Sequence, residues 1–203
     1  MEKPNEKSKD MLAETTVDNI FTQLEAKKSL EQGEKYWFGI SGSWRKTNEE
    51  VEESVREAVR KILSRGGGIV SGGALNVDFF ATDEALKVDT TGNSIKVYLP
   101  VTLERYATHY RKRANEGVIT SEQAEMLIDQ LTKVKETSPE ALIENPDNTE
   151  VNQKTYFERN TEVMNASDAL VAFQVNDSVG VEDTVQKALE QDKPVRRLKY
   201  TIE

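Results

Sequence analysis

Three short stretches of this 203-residue chain combine small residues with the kind of turn that anion binding needs. In "GISGSWRKT", Ser41, Gly42 and Ser43 have side chains small enough for backbone N–H groups to approach a ligand closely, and Arg45 adds positive charge. In "VSGGALNVD", Ser71, Gly72 and Gly73 end an apolar run just ahead of an amphipathic stretch. The free N–H groups at the start of a helix there would point at whatever lies against the two glycines. In "NDSVGVEDT", Gly180 and Thr184 follow a third apolar run. A tight turn needing φ > 0 explains any one of these. Three such turns together describe an anion site built mostly of backbone amides, and the expected anion is a phosphate. Carboxylates stand nearby: Glu182 and Asp183 flank the third turn. Asp78 falls in the first turn of a helix, where the dipole favours a carboxylate with or without a ligand.

The elements that would position these turns alternate along the chain. "KYWFGIS", "GGIVSG", "SIKVYLP", "DALVAFQV" and "PVRRLKY" read as strands. Between them, "TNEEVEESVREAVRKILS" has a capping pair, Thr47 with Glu50, and a core stripe of Val51, Val55, Ala58, Val59 and Ile62. Further helices are expected at residues 76–87, 103–115, 121–135 (capped by Thr120 and Gln123), 154–166 and 181–191, with 138–153 a loop. Such alternation predicts an α/β, Rossmann-like, doubly wound and mainly parallel sheet with helices on both faces. Ligands of that fold bind outside the carboxyl ends of the strands, where all three turns fall. Residues 1–10 read as disordered. Val17, Ile20, Phe21 and Leu24 at helical spacing predict a short amphipathic helix that packs on the core or on a partner. The expected organisation is therefore a tail and helix over residues 1–34. A ligand-binding domain follows over 35–203, with a helical insertion at about 101–153.

Composition narrows the partners. Hydrophobic residues at 36% supply a core, no apolar run is long enough for a bilayer, and the first residues lack a signal-peptide core, so a cytoplasmic location is expected. With no cysteine and no metal-ligand spacing, neither a thiolate nucleophile nor a metal site is expected, and no cofactor is implied. A net charge of −9 disfavours nucleic acid unless basic residues cluster, as they do in "RYATHYRKR". His109 in that run reads as a solvated side chain, Trp44 as core packing ahead of base stacking, and Asp168 as a cap or turn residue.

The motif residues also carry a family resemblance. "SGGALNVDFFATDEAL" resembles the S-G-x-A-x-G-I-D-x-x-A-H-x-x-A-L stretch of the DNA-processing protein A family, at Ser71, Gly72, Ala74, Asp78, Ala81, Ala85 and Leu86. "RNTEVMNASDALVAF" is similar to its R-N-R-I-I-A-x-L-S-D segment at Arg159, Asn160, Val163, Ser167 and Asp168. "SVGVEDTVQKALEQDKPV" is similar to a third block at Gly180, Thr184 and Pro194. The similarity runs from about residue 36 to 200. It implies a superfamily, shared with the cytokinin-activating phosphoribohydrolases, that binds nucleotides or nucleotide-derived ligands, and it makes Arg159 and Asn160 candidates to clamp a phosphate or sugar. The chain departs from the pattern at Leu75 (Arg in the family), Asn76 (Gly) and Thr82 (His). At Thr184 it also lacks the carboxylate of the phosphoribohydrolases.

Three functions are compatible with these residues. The first is a sensor or regulator binding a nucleotide-like small molecule at the sheet edge. The second is cleavage of a nucleoside-monophosphate N-glycosidic bond, with Glu182, Asp183 or Asp78 as the carboxylate. The third is a single-stranded DNA-binding recombination mediator. A homo-oligomer is compatible with each.

Overall fold

The computed structural model describes residues 15–203; the tail expected at residues 1–10 lies outside them. Six strands form one sheet: β1 (Trp37–Gly42), β2 (Gly68–Ser71), β3 (Ile95–Tyr98), β4 (Leu142–Ile143), β5 (Ala169–Val175) and β6 (Val195–Tyr200). Their order is β4-β3-β2-β1-β5-β6 and every pairing is parallel. Seven α-helices accompany them among the described residues: α1 (Val17–Lys27), α2 (Glu49–Ser64), α3 (Val77–Val88), α4 (Leu103–Asn115), α5 (Ser121–Thr137), α6 (Gln153–Asn165) and α7 (Val179–Glu190). The fold is Rossmann-like α/β.

Burial follows the residue pattern. All seven residues of β5 are buried, as a central strand covered on both faces demands. Successive side chains point to opposite faces. Ala169, Val171, Phe173 and Val175 accordingly join the larger core with α2 and α3, while Leu170 and Ala172 join a second core with Met164 of α6 and Val181, Val185 and Ala188 of α7. The predicted stripe of α2 is buried in full. Helix α1 buries Val17, Ile20, Phe21 and Leu24 in the core of its own chain, with the Phe21 ring centroid 4.8 Å from that of Phe38. Arg56 of α2 reaches Asp83 and Glu84 of α3, tying the two helices together across their exposed side.

Two local expectations need correction. Helix α2 is capped by Asn48, whose side chain accepts from the Val51 N–H at 3.0 Å, and not by Thr47. Asparagine is at least as good a cap as threonine, and its place one residue later sets the start. The stretch 138–153 is not all loop: a 3-10 turn at Pro139–Ala141 leads into β4, which extends the sheet beyond β3. Two residues are too few to show a period. The capping pair of α5, Thr120 with Gln123, is present in both directions at 3.0 and 2.9 Å.

The strand order sets the place of the site. From β1 the chain winds outward through β2 and β3 to β4, then returns to lay β5 on the other side of β1. Loops leaving β1 and β5 therefore diverge, and a crevice opens between them at the carboxyl edge.

Candidate functional site

A cleft of about 770 Å³ occupies that crevice. The loop after β1 (Ser41 to Lys46), the Gly72 turn, the first turn of α7 and one face of α6 line it, and α4 closes one side. Of the residues expected from sequence, the fold gathers Ser41, Gly42, Ser43, Arg45, Gly72, Asp78, Arg159, Asn160, Gly180 and Thr184 on its walls. Ser71, Gly73, Glu182 and Asp183 are not on them.

The centre of the cleft is Arg159, projected by α6. Its side chain is 9% exposed, yet its Nε and Nη1 are buried without a hydrogen-bond partner. The nearest carboxylate oxygen, Oδ2 of Asp78, is 3.8 Å from Nη1, and the guanidinium carbon lies 5.4 Å from the Tyr156 ring centroid. Leaving buried N–H donors unmade costs about 1–3 kcal/mol each, more for charged groups, so this side chain is poised for an acceptor. A fork of such donors matches a phosphate.

Gly72 makes room for it. A Cβ at that position would fall on the Arg159 guanidinium, so the bare backbone is what lets the side chain seat. The neighbouring amides are not a free cradle, which corrects the reading of this turn. Gly72 N–H and Ala74 N–H both donate to Oδ2 of Asp78, at 3.0 and 3.2 Å. Asp78 thus has the role of an internal anion, capping the turn and facing Arg159. Burial pushes its carboxyl above the usual range, opposed by Arg159 and by the two amides. Gly73 serves the turn itself: its φ is +63°, and a Cβ there would press on Leu99 and Val97.

The departures from the family pattern have local reasons. Asn76 has φ +63°, a conformation glycine adopts freely, and its Nδ2 donates to the Trp44 carbonyl at 2.5 Å, holding the first loop to the second. Leu75 is buried in the core, and the Thr82 hydroxyl lies 3.4 Å from that of Ser71, both wholly buried. Ser71 is therefore a packing residue. Ser43 ties β1 to β5: its N–H donates to Phe173, its Oγ to the Val175 carbonyl, and that Oγ accepts from the Val175 N–H. Its amide is occupied too.

The third loop keeps more of its donors. Helix α7 begins at the cleft with no side-chain cap, and Gly180 has open space where a Cβ would stand. The Thr184 hydroxyl donates to the Gly180 carbonyl at 3.0 Å. The flanking carboxylates turn away. Glu182 bonds Arg197 and Gln186, which hold it below its usual range despite the opposing effect of burial; Asp183 takes Asn160 at 3.0 Å and Lys187 at 2.5 Å. Neither faces the space where a sugar would sit. Asp168 is a turn residue, accepting from the Trp37 N–H at 2.8 Å.

Sequence reasoning missed the aromatic wall. His109 is half-buried on the cleft and not simply solvated, its ring centroid 5.7 Å from Tyr110 and 6.5 Å from Tyr156. Burial, helped by Arg113 and Lys112, lowers its pKa. Trp44 also lines the cleft, with Arg45 stacked over its ring at 4.9 Å. The charge is segregated as well: Arg45, Lys46, Arg113 and Arg159 line the cleft against only Asp78 and Asp177, on a chain of net charge −9. Among the described residues no group of three or more histidines and carboxylates could hold a metal ion, and no helix is long and apolar enough to cross a membrane.

Comparison with known proteins adds to this geometry. The family model of DNA recombination-mediator protein A matches residues 24–203, a range that includes α4 and α5. The chain is similar to DNA processing protein A from Helicobacter pylori, a protein with a unique single-stranded DNA binding mode. Identity is 19% and TM-score 0.57, over 79% of this chain and 63% of that one. Similarity to DNA processing protein A from Streptococcus pneumoniae is at 14% identity and TM-score 0.45, over 82% of this chain and 59% of that one. This chain thus spans less than two thirds of the length of either protein. No curated protein matches.

Proposed function

The chain belongs to the DNA recombination-mediator protein A family, and on that premise we propose that its switch-point cleft holds the backbone of single-stranded DNA, as a recombination mediator in the cytoplasm requires. The observation that carries this reading is Arg159, a buried guanidinium with two unpartnered nitrogens aimed into a cationic cleft. Small-molecule sensing, the first expectation from the loops, gives way to strand binding. Two of the amide turns that suggested a closed phosphate cradle are already bonded within the protein, and aromatic rings line the wall. The chain's acidity is no objection, because it lies elsewhere, as on the Glu49–Glu53 end of α2. N-glycosidic cleavage loses its motivation, since Glu182 and Asp183 are committed to Arg197 and Lys187.

Fluorescence anisotropy with a labelled oligothymidylate over a salt series tests the proposal. Binding should weaken linearly in log salt, and Arg159→Ala should weaken it further while flattening the slope by about 0.7, the release from one single-strand phosphate. No binding even at low salt would overturn the reading.

A further inference from the structure

Cations account for a strand's phosphates, but the cleft also carries rings that phosphate recognition does not need. His109 of α4 and Tyr156 of α6 meet at its mouth, their ring planes inclined at 74°. His109 and Val151 also border a neighbouring groove of about 720 Å³ along α4, so the imidazole stands where the cleft opens outward. Among the described residues nothing hydrogen-bonds this imidazole. Its neighbours are rings: Tyr156, and Tyr110 behind it, whose hydroxyl lies 3.4 Å from that of Tyr106. The support is rigid, because Tyr106 and Tyr110 are buried and α6 carries both Tyr156 and Arg159, one turn apart. With the Arg159 guanidinium 5.4 Å from the Tyr156 ring, the phosphate donor and the aromatic corner are separated by the span of one nucleotide.

We propose that the His109–Tyr156 corner is a base-stacking subsite, taking one unpaired nucleobase of the strand whose phosphate is bound by Arg159. It deepens the strand-binding reading and rests on it. Stacking on an aromatic face tolerates any base, because every base has a π-face, so the subsite favours unpaired over paired DNA and selects no sequence.

An abasic scan separates the two claims. Oligothymidylates carrying one abasic nucleotide at successive positions are titrated against wild type and His109→Ala at about pH 8, where imidazole is neutral. In wild type, one position should weaken binding about fivefold or more, the low end for one base on one ring. His109→Ala should weaken the intact strand by a similar factor, lose sensitivity at that position and keep the wild-type salt slope, while His109→Phe restores both affinity and sensitivity. A flat scan in a wild type that binds the strand would overturn the subsite alone. So would full positional sensitivity in a His109→Ala protein that melts normally. No strand binding by wild type would overturn the parent reading with it.

Discussion

Gly72→Ala tests the seating of Arg159 without touching Arg159 itself. The backbone at this position is not left-handed, so alanine fits it, and lost freedom in the unfolded chain would by itself stabilise the protein by about 0.4–1 kcal/mol. The new Cβ, however, falls on Nη1 and Cζ of Arg159, and the side chain must swing out. Asp78 then loses its facing charge. Breaking a buried pair costs about 3–5 kcal/mol, which is an upper bound here. The two groups are 3.8 Å apart, Asp78 keeps its two amide donors, and its carboxyl is already shifted toward the neutral form. The variant should fold with a lowered melting temperature. Strand binding should lose one charge-assisted contact, about 1.5–3 kcal/mol, or roughly 10- to 150-fold in affinity. The salt slope should fall by about 0.7. Because both changes remove the same contact, Gly72→Ala/Arg159→Ala should bind no more weakly than Arg159→Ala, within the roughly 0.5 kcal/mol that independent effects scatter. Anisotropy titrations of the four proteins between about 50 and 200 mM salt decide it. Wild-type affinity in Gly72→Ala, or losses that add in the double variant, would refute the seating argument.

Gly73→Ala should do the reverse. A left-handed φ and a Cβ pressed on Leu99 and Val97 should destabilise the free protein by about 1 kcal/mol or more, with oligonucleotide affinity nearly unchanged in the same titration. At Asn76, alanine should be less stable than glycine by about 1 kcal/mol in thermal melts, since only glycine accepts φ +63° freely. Both should weaken strand binding by loosening Trp44, and a more stable alanine variant would contradict the strain argument. The lowered pKa of His109 sets a pH dependence of folding. The unfolded chain takes up a proton near 6.5 while the folded chain resists it, so this contribution is fully present above 6.5 and is lost as pH falls from there through the lower folded value. Comparing melts of wild type and His109→Ala from about pH 7.5 to about pH 5 isolates it, and the variant should show the flatter dependence.

Much of the fold was legible because its signals are local. The stripe from Val51 to Ile62, the Thr120–Gln123 cap and the unbroken apolar run of β5 each depend on residues within a few positions of one another, where helix and strand periods operate. The small-residue loops at 41–43, 71–73 and 180 were visible for the same reason, and their common edge follows from parallel strands. What the sequence could not supply was which groups those loops face. That depends on β5 pairing with β1, which carries α6 back across the sheet and lays Arg159 over Gly72. The same return places Asp78 to consume the Gly72 and Ala74 amides, and sets His109 of α4 against Tyr156 of α6. Local chemistry determined that an anion site exists at this edge. Strand order decided that its donor is a side chain from a distant helix, because a buried charge takes its environment from what packs against it in space.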